Sequence, residues 1–274
     1  MSAAVAALRS AGTDLEPGAA AAAVAAVAAA LPGASLQEVL AAAELQTRTD
    51  RKYLVPVDAF ARLGEELADS FHVLQIDGRR TFAYESVYFD TPDLALYRQH
   101  LQGRRRRYKV RTRSYLDSGE TMLEAKLKGL RGETVKTRWP HPATERRFLT
   151  DDARSVLDEL LAREYGLDLP DLVPSVTTNY SRTTLVDLHD GGRVTCDVDL
   201  VCRTTISRHT PDGHVLVETK TAGASGLADL WLQKLGVRPV SVSKYCVGVA
   251  LLYPEVPANP WHRTLRRHFG YDVA

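Results

Sequence analysis

Charged side chains recur at every second position in several short segments of this sequence. The residues with this spacing are Asp50 and Lys52; Arg107, Lys109, Arg111 and Arg113; Glu124, Lys126 and Lys128; Lys136 and Arg138; Arg193, Asp197 and Asp199; and Glu218 and Lys220. Because side chains alternate between the two faces of a β-strand, each segment places its charges on one face. On a single pair of strands this would indicate an ordinary solvated face. Repeated along so many strands, it favours a surface that encloses a charged ligand.

Cations outnumber carboxylates in this set, and Arg182 and Lys244 add to them from neighbouring segments. The carboxylates are Asp50, Glu124, Asp197, Asp199 and Glu218. Because the two signs cannot cancel, the surplus positive charge predicts a polyanionic ligand. The carboxylates that remain among so many cations also predict a divalent cation with oxygen ligands, Mg²⁺ or Mn²⁺.

The elements that must position these side chains are short strands separated by turn signals such as Asp77-Gly78 and Asp190-Gly191. Alternation predicts strands over 47–55, 82–90, 107–115, 121–128, 134–139, 175–186, 193–205, 214–221 and 240–249. Helical periodicity predicts helices at about 35–45, 58–70, 93–101, 150–165 and 225–235. Many strands with short connections favour an α+β fold, in which helices pack outside an antiparallel sheet or barrel.

The composition is that of a globular domain: 274 residues, 45% hydrophobic, 25% charged, with a net charge of +1. This balance excludes a histone-like basic protein, so any anion binding must come from local clustering. Three cysteines cannot form a disulfide framework. We expect no membrane span, since no stretch of 18 or more strongly apolar residues occurs. A cytoplasmic protein is expected, with a monomer as the default.

An alanine-rich segment sets the N-terminus apart. Residues 19–30 are only Ala and Val, and Arg9 is the only basic residue before them. A signal peptide is one interpretation, but a disordered leader or frayed helix over residues 1–34 fits the flanks better. Ser35 and Glu38 have the spacing of a capping box, so a single domain is expected over 35–274.

Eight segments form an ordered set of motifs. They are Arg48-x-Asp50-x-Lys52-Tyr53, Tyr88-Phe89-Asp90-Thr91-Pro92, Lys109-x-Arg111-x-Arg113-x-Tyr115, Glu124-x-Lys126-x-Lys128, Lys136-x-Arg138, Asn179-x-x-Arg182, Glu218-x-Lys220 and Ser243-Lys244-Tyr245. This set resembles the VTC domain, the catalytic domain of the vacuolar transporter chaperone polyphosphate polymerase, which belongs to the triphosphate tunnel metalloenzymes. The resemblance implies an eight-stranded antiparallel β-barrel with a charged tunnel.

The resemblance also implies roles for individual residues. The expected catalytic contacts to a nucleotide triphosphate or growing chain are Arg111, Arg113, Lys126, Lys136 and Arg182. Further phosphate or nucleotide contacts are expected from Lys52, Lys109, Lys128, Arg138, Arg193, Lys220 and Lys244. Glu218 matches the carboxylate that binds the metal, and Glu124 is a second candidate. Asp50 stands where the family commonly has Glu, which puts a metal role for its shorter side chain in doubt.

The implied reaction moves the γ-phosphoryl group of ATP onto polyphosphate with Mn²⁺ or Mg²⁺. A phosphate end group is already ionised, so positioning and positive charge suffice, and the sequence has no HExxH or GxSxG motif. Two alternatives remain open. One is hydrolysis by a tunnel-type triphosphatase or the chemistry of a CYTH-type nucleotidyl cyclase. The other is a non-catalytic domain that binds polyphosphate or inositol phosphates.

Two further features have competing interpretations. The basic run over residues 104–107 suggests nucleic acid, but no RNP-like motif accompanies it, so we expect a loop leading into a strand and no nucleic-acid partner. Asp197 and Asp199 are either additional metal ligands or ion-pair partners of neighbouring Arg and Lys, and the sequence does not distinguish these roles.

Overall fold

Antiparallel strands form the framework of the structure, a computed structural model that describes residues 18–42, 49–129, 133–209, 213–223 and 225–270. The strands are β1 Gly33–Ala34, β2 Thr49–Pro56, β3 Phe71–Leu74, β4 Thr81–Asp90, β5 Tyr108–Tyr115, β6 Thr121–Lys128, β7 Thr134–Pro140, β8 Val173–Asp187, β9 Arg193–Arg203, β10 Ser207–His209 and β11 His214–Thr221. The main path through the sheet runs β2-β11-β9-β8-β4-β5-β6-β7. The short strands β3 and β10 pair at its side with β8 and β9.

Helices connect and cover these strands. They are α1 Ala19–Ala30, α2 Leu36–Ala42, α3 Val57–Leu67, α4 Ala95–Leu101, α5 Asp151–Tyr165, α6 Leu227–Lys234, α7 Lys244–Leu252 and α8 His262–His268. Local capping sets two of the starts. Ser35 and Glu38 form the expected capping box before α2, and Thr150 Oγ1 accepts a hydrogen bond from the Ala153 amide at the start of α5.

One face of the sheet is apolar and lies beneath helices. Val194, Cys196 and Val217 form a core with residues of α1, α3 and α6. Leu123 and Leu127 of β6 form a second core with α5. Burying one face in this way leaves the alternate residues of the same strands on the opposite face, which we call the charged face.

The sheet curves strongly toward its charged face. Six strand spacings separate β2 from β6, a distance of about 29 Å in a flat sheet. Nevertheless, the charges of Lys52 and Asp50 on β2 act on the pKa of Lys126 on β6. The charges of these two strands therefore approach each other across the concave side. Closure is not observed: within the described residues β2 and β7 do not pair, so the expected eight-stranded barrel is not confirmed.

The strand predicted over 240–249 is wrong, because the segment from Lys244 onward forms helix α7. Ser243 caps the helix, with its Oγ accepting a hydrogen bond from the Cys246 amide at 3.3 Å. The residues from Tyr245 to Ala250 are all buried, so the segment has no polar face. A short apolar run of this kind has no periodicity that separates a buried helix from a buried strand.

Helix α1 lies within the segment expected as a leader, and it packs into the core. Its Ala20, Val24 and Ala28 are buried. Gly64 of α3 allows this close packing, since a Cβ at that position would lie 2.4 Å from a methyl group of Val27. The division into residues 1–34 and 35–274 stays a prediction.

The other predicted elements occur with boundaries shifted by a few residues. Thr47 and Arg48, which begin the first predicted strand and the first motif, lie outside the described residues, as does the end of the helix predicted over 35–45. Among the helices that the structure describes, none has both the length and the apolar character that a membrane crossing requires.

Candidate functional site

The register of the strands brings the sequence-predicted residues onto the charged face. Arg111 lies opposite Tyr88 on β4 and Glu124 on β6. Arg182 lies opposite Asp197, and Glu218 lies opposite Lys52. The predicted residues therefore occupy one continuous surface formed by neighbouring strands. On that surface the carboxylates and cations form three separate clusters.

The first cluster surrounds the buried carboxylate of Glu124. Arg111 donates to Glu124 Oε2 from Nε at 2.8 Å and from Nη2 at 2.6 Å. The ammonium of Lys136 is 3.1 Å from the other oxygen, and a guanidinium nitrogen of Arg113 is 3.8 Å from it. Burial alone would raise the pKa of Glu124, but these three cations hold it well below its usual value. Glu124 therefore stays ionised and orients the three cations.

The second cluster surrounds Asp197 on β9. Arg182 forms a bidentate pair with this carboxylate: Nε donates to Oδ1 at 2.6 Å and Nη2 donates to Oδ2 at 2.8 Å. Lys244, at the first residue of α7, also donates to Oδ2. Burial would raise the pKa of Asp197, but the two cations lower it to about 2. Of the two roles left open by the sequence, Asp197 has that of an ion-pair partner. Asp199 is exposed and has a φ of 54°, at an irregularity in the pairing of β9 with β8.

The third cluster surrounds Glu218 on β11. Lys220 is 2.5 Å and Lys52 is 3.3 Å from the same oxygen, Oε1. Burial would raise the pKa of Glu218, but the neighbouring lysines hold it well below its usual value. Burial also lowers the pKa of Lys220 to about 8, although Glu218 partly opposes this shift. The ammonium group of Lys220 therefore loses its proton near pH 8.

Lys109 and Lys126 differ from the clustered cations. Within the described part of the chain, neither ammonium has a carboxylate at ion-pair distance. Desolvation lowers the pKa of both, and repulsion by Lys52 contributes in each case.

The other predicted contacts lie near the margins of this surface. Lys128 is the last residue of β6 and Arg193 the first of β9. Arg138 is exposed on β7, at one end of the strand path. In the register of the strands, Arg138 lies opposite Glu124 and Arg193 lies opposite Lys220, so these two residues border the first and third clusters. Lys128 lies two residues beyond Lys126, at the end of β6.

Tyrosine rings form part of the site that sequence reasoning missed. Tyr84 and Tyr180 are stacked with centroids 5.3 Å apart. The Arg182 guanidinium lies 5.4 Å from the Tyr84 centroid, and the Lys244 ammonium 4.3 Å from the Tyr180 centroid. The rings therefore orient the cations of the Asp197 cluster. The sequence does indicate one of them: Tyr180 precedes Arg182 by two residues, so both side chains lie on the same face of the strand.

Glu218 and Asp50 are the carboxylates of the charged face that could bind a metal ion. Within the described residues no group of three or more His, Cys, Asp and Glu is arranged to hold a metal ion. Glu218 contacts its lysines through Oε1 alone, and Asp50 lies on the adjacent strand opposite Lys220. One or two carboxylates completed by phosphate oxygens and water are the usual donor set for Mg²⁺. The residues fit a divalent cation that arrives with a phosphorylated substrate.

Comparisons with known proteins agree with this geometry. The sequence profile of the VTC domain family matches residues 47–253. A solved structure from Hippeastrum, of a candidate adenylyl cyclase with a dominant triphosphatase activity, has a TM-score of 0.51 at 16% identity and covers 77% of this chain and 100% of that chain. A search of curated proteins gave no match.

Two further solved structures are similar at lower scores. A candidate adenylate cyclase from Vibrio parahaemolyticus has a TM-score of 0.42 at 14% identity and covers 72% of this chain and 95% of its own. A protein from Pyrococcus horikoshii has a TM-score of 0.33 at 15% identity, with coverage of 70% and 92%. The family profile spans most of the chain, so the chain belongs to the VTC domain family, and the first structure shares its fold.

Proposed function

We propose that this protein is a polyphosphate polymerase, which transfers the γ-phosphoryl group of ATP to a growing polyphosphate chain. In this proposal the curved sheet acts as a tunnel, and its charged face binds both substrates. The observation that carries the proposal is the excess of cations over carboxylates on that face. Seven cations surround the carboxylates of Glu124, Asp197 and Glu218.

Arginine and lysine have different tasks in this proposal. Arg111 and Arg113 offer planar guanidinium groups that match two phosphate oxygens at once. Glu124 holds Arg111 in place before substrate arrives, so that little reorganisation is needed when negative charge shifts during transfer. Lys109 and Lys126 supply point charges that the protein leaves without an ion-pair partner within its described residues.

The transfer itself requires no general base. The terminal phosphate of the acceptor chain is already ionised, so one of its oxygens attacks the γ-phosphorus while the bond from that phosphorus to the β-phosphate oxygen breaks. ADP leaves with the electron pair of that bond, and the acceptor is longer by one phosphate. The cations of the charged face align the two chains and stabilise the negative charge spread over the transferred group.

Glu218, with Asp50 beside it, is the group we assign to a divalent metal. A bound Mg²⁺ or Mn²⁺ would neutralise charge on the phosphate oxygens. Glu124 is less suited to this role, because both of its oxygens already contact cations of the protein. We therefore assign Glu124 to positioning.

A triphosphatase is the second candidate, favoured by the fold shared with the Hippeastrum protein and its triphosphatase activity. The same charged face serves hydrolysis if water replaces the acceptor chain. A nucleotidyl cyclase of the same superfamily would instead release pyrophosphate. A non-catalytic polyphosphate-binding domain needs the cations but has no use for Glu218.

Product analysis separates these functions. The purified protein is incubated with ATP and Mn²⁺, and the products are resolved on a polyacrylamide gel and by phosphate release. The proposal predicts a ladder of long chains together with ADP, absent for Arg111→Ala. Free phosphate without a ladder would support the triphosphatase, and pyrophosphate the cyclase. Unchanged ATP with tight polyphosphate binding would support the binding domain.

A further inference from the structure

The basic run over residues 104–107 lies outside the clusters described above. Arg104, Arg105 and Arg106 are exposed, and Arg107 is half-buried where the turn enters β5. Within the described residues, Arg104 and Arg106 have no carboxylate at ion-pair distance. Three consecutive exposed arginines make this run a concentrated patch of positive charge on the surface.

Hydrogen bonds hold this turn in place. Arg107 Nη1 donates to the carbonyl of Arg104 at 2.6 Å. The carbonyl of Arg107 accepts from the Lys128 amide at 3.0 Å and from the Tyr165 hydroxyl at 3.0 Å. The turn is thus fixed against Lys128, the last residue of β6.

Electrostatic effects link this turn to Lys109 and Lys126 of the charged face. Burial, together with the charges of Lys109, Arg107 and Lys126, lowers the pKa of His100 to about 3. These three cations therefore gather around one buried ring. The charges of Lys126, Lys52 and Arg107 in turn lower the pKa of Lys109. Arg107, which follows the three exposed arginines and precedes Lys109 by two residues, joins the turn to the charged face.

We infer that residues 104–106 bind the part of a long polyphosphate chain that extends out of the charged face. This inference rests on the proposed function and names a surface beyond the transfer site. A chain with a negative charge on every phosphate matches a row of guanidinium groups that continues the row of lysines. A short phosphate ligand that fills only the clusters would not reach the turn.

The test compares ligands of two lengths. Affinity for tripolyphosphate and for long-chain polyphosphate is measured by calorimetry for the wild type and for a variant with Arg104→Ala, Arg105→Ala and Arg106→Ala. We expect long-chain affinity to fall roughly tenfold and its dependence on salt to become shallower, as when phosphate contacts are removed from nucleic-acid complexes. Tripolyphosphate affinity should stay unchanged.

A control variant removes the same charge elsewhere, with Arg62→Ala, Arg163→Ala and Arg266→Ala, all exposed. It should bind both ligands like the wild type. Equal losses in the control, or undiminished long-chain binding in the first variant, would overturn the inference. Tighter binding of a single-stranded oligonucleotide than of polyphosphate of equal charge would overturn the choice of ligand.

These outcomes are distinct from failure of the proposed function. A wild-type protein that binds long chains through the turn but makes no polymer would remove the polymerase and keep this surface. If the protein makes polymer but its affinity for long chains does not depend on the three arginines, the polymerase would stand and this surface would be removed.

Discussion

Arg111 and Glu124 form a side-on ion pair across β5 and β6, in which two guanidinium nitrogens share one carboxylate oxygen. The remaining nitrogen, Nη1, donates to the Tyr88 hydroxyl at 3.0 Å. Because both partners are largely shielded from water, the guanidinium is fixed before any ligand binds. The site is thus preorganised by its own carboxylates.

Arg111→Ala should reduce phosphoryl transfer by about 10²- to 10³-fold, as expected when one preorganised electrostatic donor is lost. The rate of ADP release in the presence of ATP, Mn²⁺ and polyphosphate measures this effect. Arg62→Ala, which removes an exposed arginine from α3, is the matched control and should transfer at the wild-type rate. Near-normal turnover of Arg111→Ala would contradict its assignment.

Glu124→Gln should lower kcat by about 10- to 100-fold, because the three cations lose the charge that orients them. Affinity for tripolyphosphate should be retained or should increase, since the charged face becomes more positive. The concentration of Mn²⁺ for half-maximal rate should not change. A large rise in that concentration would instead make Glu124 a metal ligand.

Glu218→Gln should change the metal requirement, which Glu124→Gln should leave unchanged. The Mn²⁺ concentration for half-maximal rate should rise by about 10-fold or more, because a carboxylate oxygen is replaced by a weaker amide ligand. Metal-free tripolyphosphate should still bind, as measured by calorimetry. An unchanged Mn²⁺ requirement would remove Glu218 from the metal site.

Phosphate binding should weaken as the pH rises through about 8, where Lys220 loses its proton in the free protein. A bound polyanion favours the charged ammonium, so binding above that pH should take up protons. Calorimetry in buffers of different ionisation enthalpy measures this uptake. Lys220→Arg should reduce it, because arginine keeps its charge throughout this range.

The same lysine affects stability with the opposite sign. Its pKa is lower in the folded protein than its ordinary value of 10.5, so between pH 8 and 10.5 the unfolded chain binds more protons. The contribution of Lys220 to the free energy of unfolding should therefore increase over this interval. A denaturant titration at each end of it, with Lys220→Arg as reference, tests the sign.

Strand periodicity was sufficient to predict which residues share the charged face. Lys109, Arg111 and Arg113 alternate with Tyr108, Val110 and Thr112, and the structure buries the second set. The face was predictable because period-two alternation is a property of each strand alone.

The partners within that face were not predictable, because they depend on register between distant strands. Nothing near Lys244 in the sequence indicates Asp197, which is 47 positions away. Helix α7 was missed because a run that is buried on all sides has no periodicity, and closure of a barrel depends on the accumulated twist and curvature of all its strands. The stacked Tyr84 and Tyr180 rings depend on the same cross-strand register.

The most direct measurement is a crystal structure of the protein with tripolyphosphate and Mn²⁺. The account predicts phosphate density on the concave side of the sheet, with phosphate oxygens on Arg111 and Lys126 and the metal on Glu218. Density only on the outer surface, or a concave side that stays free of phosphate at saturating ligand, would contradict it.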